Sequence, residues 1–208
     1  MFDHLHFVFV EHFWLALDAA ILFAVGLFAA VPAVRYRMRA VKWLPLKLFR
    51  LVVGLIGDGG IVRTAFVIWG FNTIAIFVYM ASGFHPLLPK LFAIWTGLNI
   101  AVLTAGIDRE NDPVLSRLTR PVDGIWRPPK GLIIACGVLV LVLELPCFWF
   151  AIAMGIRMGH RALGEAHYSA ELLHRSTAYA AVIVPLLLLS ALAEAIAIRG
   201  TPAHDTDK

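Results

Sequence analysis

Three acidic residues lie inside long apolar segments of this sequence: Asp18, Glu144 and Glu194. A charged side chain at the centre of a membrane-spanning helix costs about 2.5 to 3.5 kcal/mol, so acids retained there usually have a role. Glu144 falls near the middle of its segment, two residues before Pro146, whose missing N–H frees the carbonyl of Val142. Asp18 and Glu194 lie nearer segment ends, where a side chain can reach the membrane interface. Glu144 is therefore the first candidate for a function or for a hydrogen bond between helices.

Uncharged polar residues lie at similar depths in two other apolar segments. Asn72 lies near the centre of one, and Thr96 and Asn99 lie in the next. If these segments pack together, we expect Asn72, Thr96, Asn99 and Glu144 to converge near the membrane midplane, with Glu194 as a further polar station. The alternative is that the amides and hydroxyls only join helices by hydrogen bonds.

Small residues form two stripes at helical spacing. One stripe runs along Ala93, Gly97, Ala101 and Ala105, and the other carries Glu144, Cys147, Ala151 and Gly155. Small side chains let helices approach closely in lipid. The predicted helix-packing residues are Gly97, Ala101, Pro146, Ala151 and Gly155. If the stripes face each other, Glu144 is sealed inside the bundle; if one faces outward, it is a docking surface for a partner or a second copy.

The composition places these residues in a membrane protein. The chain of 208 residues is 60% hydrophobic and 15% charged, with a mean hydropathy of +0.80, which leaves too little polar surface to coat a water-soluble globule. We predict a single membrane domain: an all-α, polytopic transmembrane bundle of five helices plus a basic interfacial segment. The predicted spans are 13–34, 64–84, 91–107, 132–156 and 177–198, followed by a flexible polar tail at 199–208. The N-terminus does not resemble a removable signal peptide.

A basic, aromatic-containing segment follows the first predicted span. It is too short and too charged to be a sixth span, and its pattern is typical of an interfacial amphipathic helix held by anionic lipid headgroups. The predicted headgroup-binding residues are Arg35, Arg37, Arg39, Lys42, Lys47 and Arg50. With five spans, 14 of the 18 Lys and Arg residues fall on one side of the membrane. This bias predicts an outside N-terminus and a cytoplasmic C-terminus in a bacterial or archaeal cytoplasmic (inner) membrane.

The sequence lacks the common motifs of soluble enzymes and of metal sites. It contains no HExxH, GxSxG, glycine-rich phosphate loop or CxxC, and we predict no enzymatic activity, no cofactor, no metal and no nucleic-acid partner. His160, His167 and His174 recur every seven residues, and His4, His6 and His12 form a second group near the N-terminus. We interpret both sets as solvated or headgroup-facing rather than metal-binding.

From Phe71 onward the chain resembles the stage II sporulation protein M family of integral membrane proteins. The resemblance rests on Asn72 and Gly83, on Glu144-Leu145-Pro146-Cys147 followed by Gly155-Ile156-Arg157-Met158-Gly159, and on Ala191-Leu192-Ala193-Glu194. Thr96-Gly97 stands where the family has Asn-Gly, and Leu139-Val140-Leu141 where it has Pro-His-Gly. The resemblance implies a five-helix protein in a multi-protein membrane complex, in spore formers beside peptidoglycan-degrading partners.

Two functions remain open on the sequence. The first is a non-enzymatic scaffold component of a membrane protein complex, surrounded by the lipid bilayer, that recruits a protein partner or forms a homo-oligomer. The alternative is a transporter for a small solute, ion or proton, with a pathway around Glu144. A polar cavity at Glu144 would favour transport, whereas a stable companion protein would favour the scaffold.

Overall fold

The structure is a computed structural model that describes residues 2–36, 39–57, 59–106, 128–161 and 165–200. Within these residues the chain is helical and contains no strand. The α-helices are α1 (Phe2–Leu5), α2 (Phe13–Arg35), α3 (Arg39–Ile56), α4 (Ile61–Ala81), α5 (Leu88–Gly106), α6 (Lys130–Arg161), α7 (Glu165–Ala178) and α8 (Val184–Gly200). A π-helical turn, His6–Val10, follows α1, a 3₁₀ turn, Ser82–Phe84, follows α4, and a second π-helical turn, Tyr179–Ile183, joins α7 to α8.

Four of the described helical segments are long and apolar enough to cross a membrane. They are Phe13–Pro32, Ile61–Phe84, Lys130–Gly159 and Tyr168–Arg199. The third predicted span corresponds to a shorter apolar helical segment, Leu88–Thr104, within α5. The protein is therefore an all-helical protein with the character of a membrane protein, and α5 is the helix on which a count of five depends.

The basic segment after the first span forms a helix of its own, α3. Gly57, with φ of 52°, ends it in the left-handed conformation that glycine tolerates best, and its N–H donates to the carbonyl of Val53 at 3.0 Å. On the inner face of α3, Val53 and Ile56 pack into a buried apolar cluster with residues of α4 and α8. The segment is thus attached to the bundle along one face.

Glycines bring α2 and α5 into backbone contact. A Cβ atom added to Gly97 would lie 2.0 Å from the carbonyl oxygen of Phe23, and one added to Gly26 would lie 1.9 Å from that of Ile94. Neither position can hold a side chain unless the helices separate. The stripe on α5 that contains Gly97 therefore packs against α2 rather than against the stripe on α6.

The second small-residue stripe contacts the α4–α5 hairpin near the turn that joins the two helices. A Cβ atom added to Gly155 would lie 2.9 Å from the Met80 carbonyl oxygen, and one added to Gly83 would lie 2.3 Å from the Gly155 carbonyl oxygen. The two predicted stripes thus form two separate interfaces. At their glycines the two stripes face different helices rather than each other, because each helix of the bundle has more than one neighbour.

Hydrogen bonds at the rims show which helix ends lie together. Arg157, near the end of α6, donates to the carbonyl of Glu11, just before α2, at 2.9 Å. The Tyr168 hydroxyl, on α7, donates to the carbonyl of Ala81 at the end of α4. Arg199, near the end of α8, donates to the carbonyl of Gly57 at 2.8 Å. The beginnings of α2 and α7 thus share a rim with the ends of α6 and α4, while the end of α8 lies at a rim with the end of α3.

Candidate functional site

A cavity of about 380 Å³ lies among α3, α4, α5, α6 and α8. All five residues of the predicted intramembrane polar site line it: Asn72 from α4, Thr96 and Asn99 from α5, Glu144 from α6 and Glu194 from α8. Each is only partly buried. The exposed residues Leu48, Phe71 and Ile100 also line the cavity, so it opens to the surface of the bundle. Four helices therefore bring their polar residues to one cavity.

The Asn72 amide joins α4 to α6 inside this cavity. Its Nδ2 donates a hydrogen bond of 3.1 Å to the Glu144 carboxyl oxygen Oε1. The Ser190 hydroxyl of α8, 1% exposed, lies beside the same carboxyl without a hydrogen-bond partner of normal geometry among the described residues. Glu144 thus has one fixed donor and a second polar group within reach.

Glu194 places a second carboxyl on the same cavity. It lies on α8 four residues after Ser190, close enough to Glu144 for the two groups to repel electrostatically when both are ionised. Within the described part of the chain, no Lys, Arg or His side chain lines the cavity. Two acidic groups therefore face a space that has no basic residue among its described walls.

Two further polar atoms at the cavity wall have unused hydrogen-bonding capacity. The Thr96 hydroxyl and the Asn99 side-chain carbonyl oxygen have no hydrogen-bond partner among the described residues, although both atoms are buried. A buried polar atom left unpaired costs about 1 to 3 kcal/mol. Thr96 and Asn99 therefore do not pair with the other polar residues of the wall through these atoms.

Aromatic side chains form much of the remaining wall. Phe49 from α3, Phe71 and Tyr79 from α4, Trp95 from α5 and Phe148 from α6 all line the cavity. The rings of Tyr79 and Phe148 meet edge to face with centroids 5.6 Å apart. This aromatic lining was not predicted, because aromatic residues are common in every span and their spacing alone gives no signal.

The remaining predicted packing residues lie in different surroundings. Ala151 is completely buried in the main apolar core, and Ala101 is partly buried on α5. Pro146 lies inside α6 and lines a second, mostly apolar cavity of about 400 Å³, whose other walls include Leu5 and Pro185. Among the described residues that line this second cavity, the only polar side-chain group is the Cys147 thiol.

The predicted headgroup-binding residues that the structure describes lie on the surface. Arg35, Lys47 and Arg50 are exposed, and the Lys47 ammonium lies 4.9 Å from the centre of the Trp43 ring. Arg37 lies outside the described residues, as do the side chains of Arg39 and Lys42. The opposite face of α3, through Leu48, Phe49 and Val52, contributes one wall of the polar cavity.

A buried polar cluster at the rim near Glu11 was not anticipated from the sequence. Arg175, 1% exposed, donates from Nε and Nη2 to Glu171 Oε2 at 3.1 and 2.6 Å, and its Nη1 lies 2.8 Å from His12 Nε2. Since a guanidinium only donates, His12 Nε2 accepts, and His12 Nδ1 then carries the proton and donates to the Phe7 carbonyl at 2.7 Å. His12 is therefore neutral in this arrangement, and it ties the N-terminal segment to α7.

Metal coordination finds no support among the described side chains. No group of three or more His, Cys, Asp and Glu side chains there could hold an ion. His174 is exposed, and its ring meets Phe7 edge to face at 4.9 Å. The side chains of His160 and His167 lie outside the described residues.

Comparison with known proteins identifies no relative of this chain. No protein-family model matches the chain, and neither the curated proteins nor the solved structures yield a significant match.

Proposed function

We propose that this protein binds a small polar solute, ion or proton in the cavity around Glu144 and carries it across the membrane. The observation that carries this proposal is the convergence of Asn72, Thr96, Asn99, Glu144 and Glu194, from four helices, on one chamber. Ionisable groups within a bilayer are expensive, and where they face a cavity they commonly mark a substrate, ion or proton pathway. A purely structural polar network would pair its members, whereas Thr96 and Asn99 keep unpaired atoms at this wall.

The pathway requires that the helices around the cavity cross the membrane, and we propose five crossings. The helix α5 has 19 residues and is about 28 Å long at 1.5 Å per residue, close to the thickness of about 30 Å of a hydrocarbon core. Five crossings place the N-terminus outside and the C-terminus in the cytoplasm of a bacterial or archaeal inner membrane. The basic helix α3 then lies at the cytoplasmic surface, where it can meet anionic headgroups.

The test is a transport measurement on the purified full-length protein in proteoliposomes. A panel of protons, inorganic cations, amines, amino acids and organic anions would be applied under a gradient, and charge movement or uptake recorded. We expect at least one class to move, with the signal lost in Glu144→Gln. The matched control is Asp18→Asn, since Asp18 is also an acid within an apolar helix but is exposed on α2. No movement of any class would overturn the proposal.

A second candidate is the membrane component that packs with a partner protein or a second copy. It is favoured by the first half of α6, where Ile134, Val138 and Leu141 are exposed and an atom added at Gly137 would meet no described residue within 4 Å. Such an open apolar face suits either lipid or another helix. The resemblance to the stage II sporulation protein M family supports the same candidate. Purification in mild detergent with a stoichiometric companion protein would support it.

A further inference from the structure

The polar cavity has an excess of negative groups. Glu144 and Glu194 contribute two carboxyls. Among the described lining residues, the amide of Asn72 is committed to Glu144, and no basic side chain is present to neutralise either acid. Two carboxyls in such a place need either protons or a cation that enters from outside. A ligand with positive charge fits this inventory, whereas an anion would meet repulsion.

The aromatic wall distinguishes an organic cation from a bare metal ion. Phe49, Phe71, Trp95 and Phe148 present rings on several sides of the same space. Aromatic faces attract cations through the ring quadrupole and are the usual partners of alkylammonium groups. A small hydrated metal ion would instead require several oxygen ligands and would gain little from these rings. The combination of carboxyls with aromatic rings therefore favours an organic cation, in which carbon atoms are bonded to the charged group, over a metal ion.

The size of the cavity sets the size of the ligand. At about 30 Å³ per non-hydrogen atom, the share of one water molecule in the liquid, a volume of about 380 Å³ holds roughly a dozen such atoms. This is enough for an amine or quaternary ammonium compound with a short substituent. It is too little for a lipid or a peptide of several residues to lie wholly within the cavity.

We propose that the cavity binds a small organic ammonium cation, with its charged head between Glu144 and Glu194 and its carbon atoms against the aromatic wall. This inference rests on the proposed function, since it names the class of solute for the same chamber. The Asn72 hydrogen bond positions the Glu144 carboxyl for this contact.

The test compares two probes of nearly equal shape on the wild-type protein in nanodiscs. Choline carries the ammonium group, and dimethylbutanol replaces its nitrogen by carbon and is neutral. Binding is followed by ligand-induced change in tryptophan fluorescence and by isothermal calorimetry. We expect choline to bind roughly tenfold or more tightly than its neutral isostere. Equal binding of the two probes, or binding of neither, would overturn the proposal.

Variants assign the binding to this cavity. Glu194→Gln and Trp95→Leu should each weaken choline binding at least several-fold, while Asp18→Asn and Trp14→Leu should leave it unchanged, since Trp14 is 75% exposed on α2. The wild-type comparison of probes decides the question even if a variant fails to fold. If neither probe binds while proteoliposomes still move another solute or protons, the ligand class is wrong and the proposed function stands. If nothing is bound and nothing moves, both fail.

Discussion

At the scale of single residues, the polar contact between α4 and α6 depends on one carboxyl. Glu144→Ala removes the acceptor of the Asn72 amide and leaves that amide unpaired beside a hydrophobic wall. The expected loss is about 1 to 3 kcal/mol of stability, seen as a lower thermal midpoint in detergent. Asp18→Ala is the matched control and should change the midpoint little, because Asp18 is exposed. Equal, mild effects of the two substitutions would contradict this ranking.

The rim cluster gives a second prediction at this scale. Arg175→Met removes a buried cation that bonds to Glu171 and to His12, and it leaves the His12 Nε2 acceptor without this donor. We expect a loss of about 3 kcal/mol or more, typical of breaking a buried charged pair. Thermal unfolding followed by circular dichroism measures it. The exposed Lys130 provides the control, and a Lys130→Met protein that is destabilised as strongly would show that the effect does not depend on burial.

The sequence predicted the polar half of the candidate site better than the rest. Acids and amides in apolar spans are rare and costly, so their positions carry information about depth and neighbours. Ser190 gave no such signal, because a single serine in a leucine-rich run is unremarkable. The pairing of His12 with Arg175 joins residues 163 apart in sequence, and only the fold brings these segments together. The spacing of Glu171 and Arg175, four residues apart on one helix, was the one local signal available there.

At the scale of helices, close packing is tested by adding a single carbon atom. Gly97→Ala places a methyl group 2.0 Å from the Phe23 carbonyl oxygen and must push α2 and α5 apart, which should cost several kcal/mol. Gly137→Ala adds the same group on α6, where no described residue lies within 4 Å. There the higher helix propensity of alanine should leave stability unchanged or raise it by up to about 1 kcal/mol. Chemical unfolding of both variants measures the difference.

If Gly97→Ala is as stable as Gly137→Ala, then α2 and α5 do not touch through their glycines. The more severe Gly97→Leu would then be expected to fold as well, since the same space would be open. Crosslinking of cysteines introduced on α2 and α5 would show whether the helices have moved apart in either variant.

Helix periodicity predicted which faces of the helices make contacts, but not which helices those faces contact. The stripes containing Gly97 and Gly155 are both contact faces, yet they contact α2 and α4 respectively. Val102 and Ile152, which lie off these stripes, are completely buried as well. A helix in a bundle of this size has two or three neighbours, so several faces are occupied at once. Which face meets which helix depends on the packing of the whole set, and that information is not local.

At the scale of the whole molecule, the orientation in the membrane can be measured directly. Single cysteines introduced at Ser169 and Ser116, in a background without Cys136 and Cys147, should differ in their reaction with an impermeant thiol reagent. We expect Ser169→Cys to react from outside and Ser116→Cys to react only after the membrane is opened, since five crossings place them on opposite sides. Ser116 lies outside the described residues, so this test uses only its position between two spans.

Reversed labelling would show that the protein has the opposite orientation in the membrane, with the bundle itself unchanged. Labelling of both positions from outside would instead show that the chain crosses the membrane one time fewer between them than we propose.

The helix α3 has two different faces: one is basic and exposed, and the other lines the cavity. Lys47 and Arg50 are exposed on α3, while Leu48, Phe49 and Val52 form a wall of the chamber. If an anionic lipid binds the basic face, we expect it to restrain that wall as well and so to change the affinity of the cavity for its ligand. Coupling between two binding sites is reciprocal, so a ligand that tightens the wall must also strengthen lipid binding by the same factor. Choline affinity should therefore differ between anionic and neutral nanodiscs, and Lys47→Gln with Arg50→Gln should reduce that difference.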